Sequence, residues 1–288
     1  MKVRQFSSTL DTPDEFDQLL QRLWPLNRSI TGSGVRQTLQ ILAEYMPHEI
    51  FSFASGEEVF DWTIPKQWEV EEAYFEDETG KRWADFKENN LHLLNYSEPF
   101  SDRVSREELL KHLYVSEELS DAIPYVTSYY RDRWGFCLSQ NELNQLRGDW
   151  FDVRIETSKF DGELILAEAF LPGELEEEIF FSSYVCHPSM ANNELSGPIC
   201  LAALYQRVAA MESRRYSYRF VLAPETIGAL CYLKIRGNHL KENMVCGYQL
   251  TCLGGEGCYG YKKSRKGTSL GDRVGAFSIC RTKGGELI

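Results

Sequence analysis

The carboxyl-terminal half of the chain alternates short apolar runs with longer segments of helical pattern. Apolar runs at 178–185, 218–223 and 245–250 carry few charges, as strands that are buried on both faces of a sheet do. Segments with helical spacing at 196–211 and 228–234 separate these runs. The alternation predicts an α/β fold with a mixed, mainly parallel sheet, flanking helices and ligands at the carboxyl ends of the strands.

The segment 56–149 has a different pattern. Its apolar residues alternate over short runs that are interrupted by turn signals such as Asp77–Lys81, which is typical of antiparallel strands. We therefore predict a small β-rich domain at 56–149, inserted into an α/β domain made of 1–55 and 150–288.

Local signals predict several individual elements. Apolar spacing indicates helices at 14–24 and 35–46, and the first ends where Pro25 follows. After Gly148, two runs of strand-forming residues flank Asp161-Gly162, a dipeptide typical of tight turns. We expect these runs, 150–157 and 164–171, to pair as a hairpin.

Charge and composition exclude several function classes. The 288 residues carry a formal net charge of -12, which disfavours binding to nucleic acid or to an anionic membrane surface. No apolar stretch approaches the ~20 residues that a membrane-spanning helix needs, and no secretory signal is visible, so we expect a cytoplasmic protein. The 8 cysteines form no Cys-x-x-Cys pair and are expected to be reduced thiols. The oligomeric state is left open.

Two candidate site residues follow the run at 178–185. His187 begins a polar loop, where its ring can reach a metal or a substrate, and the alternative is a loop histidine held by hydrogen bonds. Glu194 precedes the helix at 196, so it is either part of the site or a charge that favours the helix dipole.

A third candidate, Glu225, follows the next strand. A carboxylate between a buried strand and a helix is expected to be partly desolvated, which suits it to general-base work. The alternative is an ordinary helix-capping acid.

The order of these motifs resembles that of the zinc aminopeptidase family. His187, Ala191–Gly197 and Ala223–Gly228 follow one another as its His-x-Asp, Ala-Asp-Asp-x-x-Ser-Gly and Glu-Glu-x-Gly signatures do. Longer strings, among them Val59–Pro65 and Cys186–Met190, resemble a bacterial group of aminopeptidase-like proteins that is often linked to surface-polysaccharide biosynthesis. That group carries a small β-rich domain inserted into the peptidase fold.

The resemblance implies a zinc-dependent hydrolase, in which His187 is a zinc ligand and Glu225 is the general base. Other positions depart from the family pattern. Neutral residues replace four of its acids, which disfavours a two-zinc site, and the substitute carboxylate is Glu194. The family's last zinc-binding His and, in this group, a winged-helix segment lie beyond residue 288, which suggests a shortened chain. The neutral replacements are Ser189, Asn193, Thr226 and Thr251.

Two functions follow from these observations. The first is a metallo-aminopeptidase-like hydrolase that cleaves an amide beside a free amine of a peptide or a small molecule. In it, Glu225 activates water and zinc is held by His187, Asn193 and Glu194. The second is a catalytically degenerate relative that binds a saccharide precursor or a protein partner in polysaccharide biosynthesis.

Two further observations bear on these functions. A thiol mechanism that uses Cys186 beside His187 is a third alternative, and it is disfavoured because adjacent residues on a strand point to opposite faces. Four tryptophans could stack on sugar rings, although buried core aromatics are the more common case. They are Trp62, Trp68, Trp83 and Trp134.

Overall fold

A mixed five-stranded sheet forms the centre of the computed structural model, which describes residues 7–255, 259–279, 281 and 285–287. In spatial order the strands are β1 (Glu49–Ala54), β10 (Glu163–Leu171), β12 (Ser217–Ala223), β11 (Glu178–Tyr184) and β13 (Met244–Gln249). The pairings of β10 with β1 and with β12 are antiparallel, and those of β11 with β12 and with β13 are parallel. The sheet is therefore mixed, as predicted, and its parallel part is confined to the last three strands.

Helices cover both faces of this sheet. Side chains alternate along β10, so Ile165 and Ala167 join one core while Leu164 and Leu166 join the other. The helices are α1 (Pro13–Leu23), α2 (Ser33–Leu42), α5 (Ser196–Ala209) and α6 (Ile227–Asn243). The first core includes α1, α2 and α5, and the second includes α6. The last helix, α6, extends nine residues beyond its predicted end at residue 234.

A second, four-stranded sheet has an aromatic core of its own, which includes Phe75, Phe136 and Phe151. Edge-to-face contacts join these rings, with centroid separations of 5.3 Å for Phe75–Phe136 and 5.8 Å for Phe75–Phe151. The strands are β5 (Arg82–Trp83), β4 (Gln67–Asp77), β9 (Trp150–Phe160) and β6 (Phe100–Ser105), in spatial order.

The pairing of β9 corrects the predicted hairpin. This strand pairs with β4 and β6, whereas β10 belongs to the central sheet. Alternate residues of β9, among them Phe151 and Val153, are buried in the aromatic core, and this burial outweighs the local turn signal at Asp161-Gly162. The second sheet therefore includes residues 150–160, which we had assigned to the α/β part. The division into domains stays a prediction.

Two sequence-based expectations concern helix length and cysteines. No helix in the described ranges is long and apolar enough to cross a bilayer. Among the described cysteines, six are free thiols, while Cys258 and Cys280 lie outside the described residues. The remaining strand pairs and helices are β2 (Glu58–Val59) with β3 (Trp62–Thr63), β7 (Leu113–Tyr114) with β8 (Phe136–Cys137), β14 (Tyr259–Tyr261) with β15 (Gly285–Leu287), α3 (Arg106–Leu110), α4 (Gln140–Gln145) and α7 (Leu270–Ile279).

Two glycines allow a matched test of how α2 packs on the loop before it. A Cβ at Gly34 would lie 1.8 Å from the carbonyl oxygen of Asn27, whereas at Gly237 in α6 its closest neighbour would be 3.9 Å away. We expect Gly34→Ala to lower the free energy of unfolding by at least about 2 kcal/mol, because backbone atoms must move. Gly237→Ala should raise it by about 0.5–1 kcal/mol. Urea unfolding measures both changes, and equal effects would contradict the described packing.

Candidate active site

The parallel pairing of β11 and β12 brings two predicted site residues together. Tyr184 and Ala223 end the two strands as register partners, so the loops that follow leave the same edge of the sheet. His187 lies on the first loop and Glu225 on the second. Nε2 of the imidazole is 3.3 Å from Oε2 of the carboxylate. The two groups therefore share one site.

A cavity of about 190 Å³ opens beside this pair. His187 and Glu225 line it from the α/β part, while Trp62, Tyr129 and Tyr130 line it from the β-rich segment. The Glu225 side chain is 54 % exposed, so about half of it is in contact with solvent. The carboxylate is accessible to water and to a substrate in the cavity.

The other face of His187 meets a buried ion pair. Its Nδ1 lies 2.9 Å from Oε2 of Glu194, and Nε of Arg28 lies 3.7 Å from Oε1 of the same carboxylate. Burial raises the pKa of Glu194, and the neighbouring His187 and Arg28 act against that rise. Arg28 also donates hydrogen bonds to the carbonyl oxygens of His187 (2.9 Å) and Leu23 (2.6 Å). Glu194 is thus a member of the site and not a solvated helix-end charge.

This cluster contains polar atoms that lack a well-directed hydrogen bond. They are Nη2 of Arg28, Nδ1 of His187 and both carboxylate oxygens of Glu194, all buried. The 2.9 Å between Nδ1 and Oε2 is short enough for a hydrogen bond but poorly directed. Buried polar atoms without partners cost free energy, so a bound group that satisfies them would stabilise the cluster.

The donor set of the cluster suits a single zinc ion. One ligand atom each from Cys186, His187 and Glu194 lies within 4.8 Å of the other two. Sulfur, imidazole nitrogen and carboxylate oxygen are the ligands that zinc takes in proteins, and three of them leave one position open. The unsatisfied atoms of His187 and Glu194, together with the donor chemistry, therefore fit one zinc ion, whereas Nη2 of Arg28 is a donor and cannot bind it.

At positions 189 and 193 the family pattern has acids, but the side chains here are neutral and offer no carboxylate to a second metal. Oδ1 of Asn193 accepts a hydrogen bond from the Tyr184 hydroxyl (2.6 Å), and the Asn193 residue is exposed. Ser189 donates to the carbonyl oxygen of Trp24 (3.3 Å) and does not orient the imidazole. Of the three predicted metal ligands, the structure brings His187 and Glu194 together and directs Oδ1 of Asn193 to Tyr184.

Backbone strain concentrates in the loops of the site. Ser189 (φ 39°), Glu194 (φ 98°) and Thr226 (φ 60°) all have left-handed conformations that favour glycine. Such conformations persist where surrounding contacts outweigh their cost, and they cluster at functional sites. The strain at Glu194 accompanies the turning of its carboxylate toward His187.

Two features of the site were not predicted from the sequence. The first is the burial of Arg28, which no motif indicated. The second is the position of Tyr125, whose ring meets that of His187 edge to face with centroids 4.7 Å apart. Its hydroxyl shares a hydrogen bond of 2.9 Å with that of Tyr129, which donates to Oδ1 of Asn95 (3.1 Å). A segment of strand-forming residues, Pro124–Tyr130, therefore covers the imidazole.

Cys186 is closer to His187 than strand alternation predicts. The argument from opposite faces fails because β11 ends at Tyr184, before these residues. Burial raises the pKa of the Cys186 thiol well above its ordinary value, and the Glu194 carboxylate raises it further. A thiol mechanism needs the thiolate, so burial and not alternation disfavours it.

One of the four tryptophans considered for sugar stacking, Trp62, lines the cavity. Trp68 and Trp83 are buried in the aromatic core, and Trp134 stacks on His112 with ring centroids 3.6 Å apart.

Comparisons with known proteins show the family and the fold of the chain. Residues 17–286 match the model of a family described as a domain of unknown function, DUF4910. The chain belongs to this family. A protein of Clostridium acetobutylicum, named a polysaccharide biosynthesis protein with aminopeptidase-like domain, is 40 % identical over 271 residues. The match covers 94 % of this chain and 62 % of that protein, so the chain spans less than two thirds of this relative. The resemblance to aminopeptidase-like proteins is thereby confirmed.

Solved structures confirm the predicted fold class. A crystal structure of a C. acetobutylicum protein described as a peptidase superposes with a TM-score of 0.90 at 40 % identity, covering 95 % of this chain and 64 % of that one. A zinc aminopeptidase from Bacillus subtilis gives 0.59 at 9 % identity, covering 96 % and 80 %. An aminopeptidase from Aneurinibacillus gives 0.54 at 10 %, covering 93 % and 77 %. The last two similarities show the fold alone.

The ion pair between Arg28 and Glu194 can be tested against an exposed pair. Arg28→Met leaves the buried carboxylate without its neighbouring cation, so we expect a loss of about 3–5 kcal/mol in the free energy of unfolding. Arg22→Met, which breaks an ion pair whose side chains are 42 % and 37 % exposed, should cost less than about 1 kcal/mol. Chemical denaturation of metal-free protein measures both. Adding Glu194→Gln to Arg28→Met should recover part of the loss, and similar costs for the two arginines would refute the pairing.

Proposed function

We propose that the chain is a cytoplasmic, zinc-dependent hydrolase that cleaves an amide beside a free amine, on a peptide or a small molecule used in polysaccharide biosynthesis. The observation that carries the proposal is the convergence of His187 and Glu225 at a cavity, with Nε2 and Oε2 separated by 3.3 Å. The aminopeptidase fold and the names of the similar proteins support it.

His187 and Glu194 are the residues that would hold zinc. When bound, zinc supplies Lewis-acid chemistry to the amide carbonyl. The carboxylate of Glu194 is fully buried, so solvent does not compete for its oxygens, and Arg28 limits the cost of burying its charge. Tyr125 packs its ring edge against the imidazole and keeps it from rotating.

Glu225 is the group that moves the proton. Its exposed carboxylate borders the cavity, so it can accept a proton from the attacking water and pass that proton to the amine that leaves. The aromatic wall of Trp62, Tyr129 and Tyr130 would exclude bulk water from a bound substrate and provide an apolar surface for it.

Removal of the proposed base tests the mechanism. We expect Glu225→Gln to lower kcat on aminoacyl 4-nitroanilides by at least about 100-fold, because a neutral amide cannot accept the proton. Zinc content and the unfolding transition should stay unchanged. The matched control is Glu212→Gln, at an exposed residue that does not line the cavity. If Glu225→Gln retains full turnover, Glu225 is not the base.

Metal analysis tests the zinc site separately. We expect about one zinc ion per chain after purification and dialysis without chelator, and loss of that zinc in His187→Ala. His48→Ala serves as the control, because His48 hydrogen-bonds to the carbonyl oxygen of Met46, in the loop after α2. Folded protein that takes up no zinc would refute this part of the proposal.

The second candidate function is a non-catalytic binding protein. It is favoured by the neutral residues Asn193, Thr226 and Thr251 and by the stacking surface of Trp62 in the cavity. A folded chain without zinc whose Trp62 fluorescence changes on adding an amino sugar, and whose Trp62→Leu variant shows no such change, would establish it.

A further inference from the structure

Cys186 is the buried nucleophilic group that the proposed mechanism does not use. It is 1 % exposed, and its sulfur accepts a hydrogen bond of 3.2 Å from the backbone N–H of Glu225. The same residue lines the cavity beside His187. Its sulfur therefore lies between the two loops that form the site.

A comparison with Cys231 separates this position from an ordinary core thiol. Both cysteines are buried in the same apolar core, Cys231 from within α6, and Cys231 is 0 % exposed. Only Cys186 belongs to a group of potential metal ligands within the described residues, together with His187 and Glu194. Burial in the core is enough to explain the position of Cys231. It does not explain why Cys186 lies beside two other potential metal ligands.

We infer that Cys186 is a zinc ligand that binds as the thiolate and completes a Cys-His-Glu site with His187 and Glu194. The inference rests on the zinc site of the proposed function, and it replaces Asn193 in the predicted ligand set. The polar atoms of His187 and Glu194 that lack hydrogen-bond partners then become ligand atoms. Sulfur supplies the third donor that a zinc site with one open position requires.

Charge balance supports a thiolate at this position. The carboxylate of Glu194 is offset by the guanidinium of Arg28, 3.7 Å away. The thiolate then offsets one of the two positive charges of zinc, and the carboxylate of Glu225 lies across the imidazole, beside Nε2. A thiolate thus compensates for acids that Asn193 and Thr226 do not provide. When zinc binds, the S–H bond breaks, the S–Zn bond forms and the proton passes to solvent.

Cobalt substitution tests the inference by spectroscopy and not by turnover. The full chain is stripped with a chelator and titrated with Co²⁺. We expect one equivalent to bind and to give a thiolate-to-cobalt charge-transfer band in the near ultraviolet. Cys186→Ala should abolish the band and weaken Co²⁺ binding by at least about tenfold. Cys231→Ala removes a comparably buried thiol and should retain both the band and the affinity.

The possible outcomes separate this inference from the proposed function. One bound Co²⁺ without a charge-transfer band, or a band that survives Cys186→Ala, would overturn the role of Cys186 and leave the hydrolase proposal standing. No bound metal in folded protein would overturn both the inference and the zinc site. Thiolate ligation without amide hydrolysis would support the inference and refute the function.

A measurement on the unaltered chain covers the case in which Cys186→Ala does not fold. X-ray absorption at the zinc edge should show one sulfur at about 2.3 Å and the remaining ligands at about 2.0–2.2 Å. A shell of nitrogen and oxygen alone would refute the inference. His187→Ala should lose the sulfur shell together with the metal, whereas a zinc–sulfur shell retained in this variant would show that the metal does not depend on His187 and would overturn the Cys-His-Glu site.

Discussion

The buried guanidinium of Arg28 is the interaction on which the site depends. It is 0 % exposed, and it joins three parts of the chain: the end of α1 through Leu23, the loop after β11 through His187, and the strained turn at Glu194. A carboxylate as deeply buried as that of Glu194 would be very costly without a neighbouring cation. Arg28 therefore makes it possible for a charged acid to lie against the inner nitrogen of the imidazole.

The sequence predicted three strands of the central sheet well because each of them is an apolar run. The limits of β11, β12 and β13 lie within a residue or so of the prediction. Burial on both faces was predicted for all three and holds for β12, whereas β13 is an exposed edge strand. Prediction failed at β9, where pairing partners decide the outcome. The Asp161-Gly162 turn is consistent with a hairpin, but Phe151 and Val153 find their core against β4 and β6. Sequence pattern shows which side chains are buried and not which sheet buries them.

The site residues that the sequence predicted also differ in kind from those that it missed. His187 and Glu225 could be placed together because the carboxyl ends of neighbouring parallel strands share one edge of the sheet. Arg28 and Tyr125 come from other parts of the chain and reach the imidazole through tertiary packing, which leaves no local signal. The proximity of Cys186 was missed because alternation was applied beyond the end of β11.

The contacts of His187 also explain how a site can keep its imidazole while losing the acids around it. In the family pattern an Asp two residues after the His orients the ring, but Ser189 faces Trp24 instead. Before zinc binds, Glu194 makes that contact from the following turn, at the cost of a left-handed backbone. The substitution requires a cation behind the carboxylate, so the acid at 194 and the arginine at 28 depend on each other. Loss of either would leave a buried charge without its partner, and the imidazole would lose a neighbour that orients it.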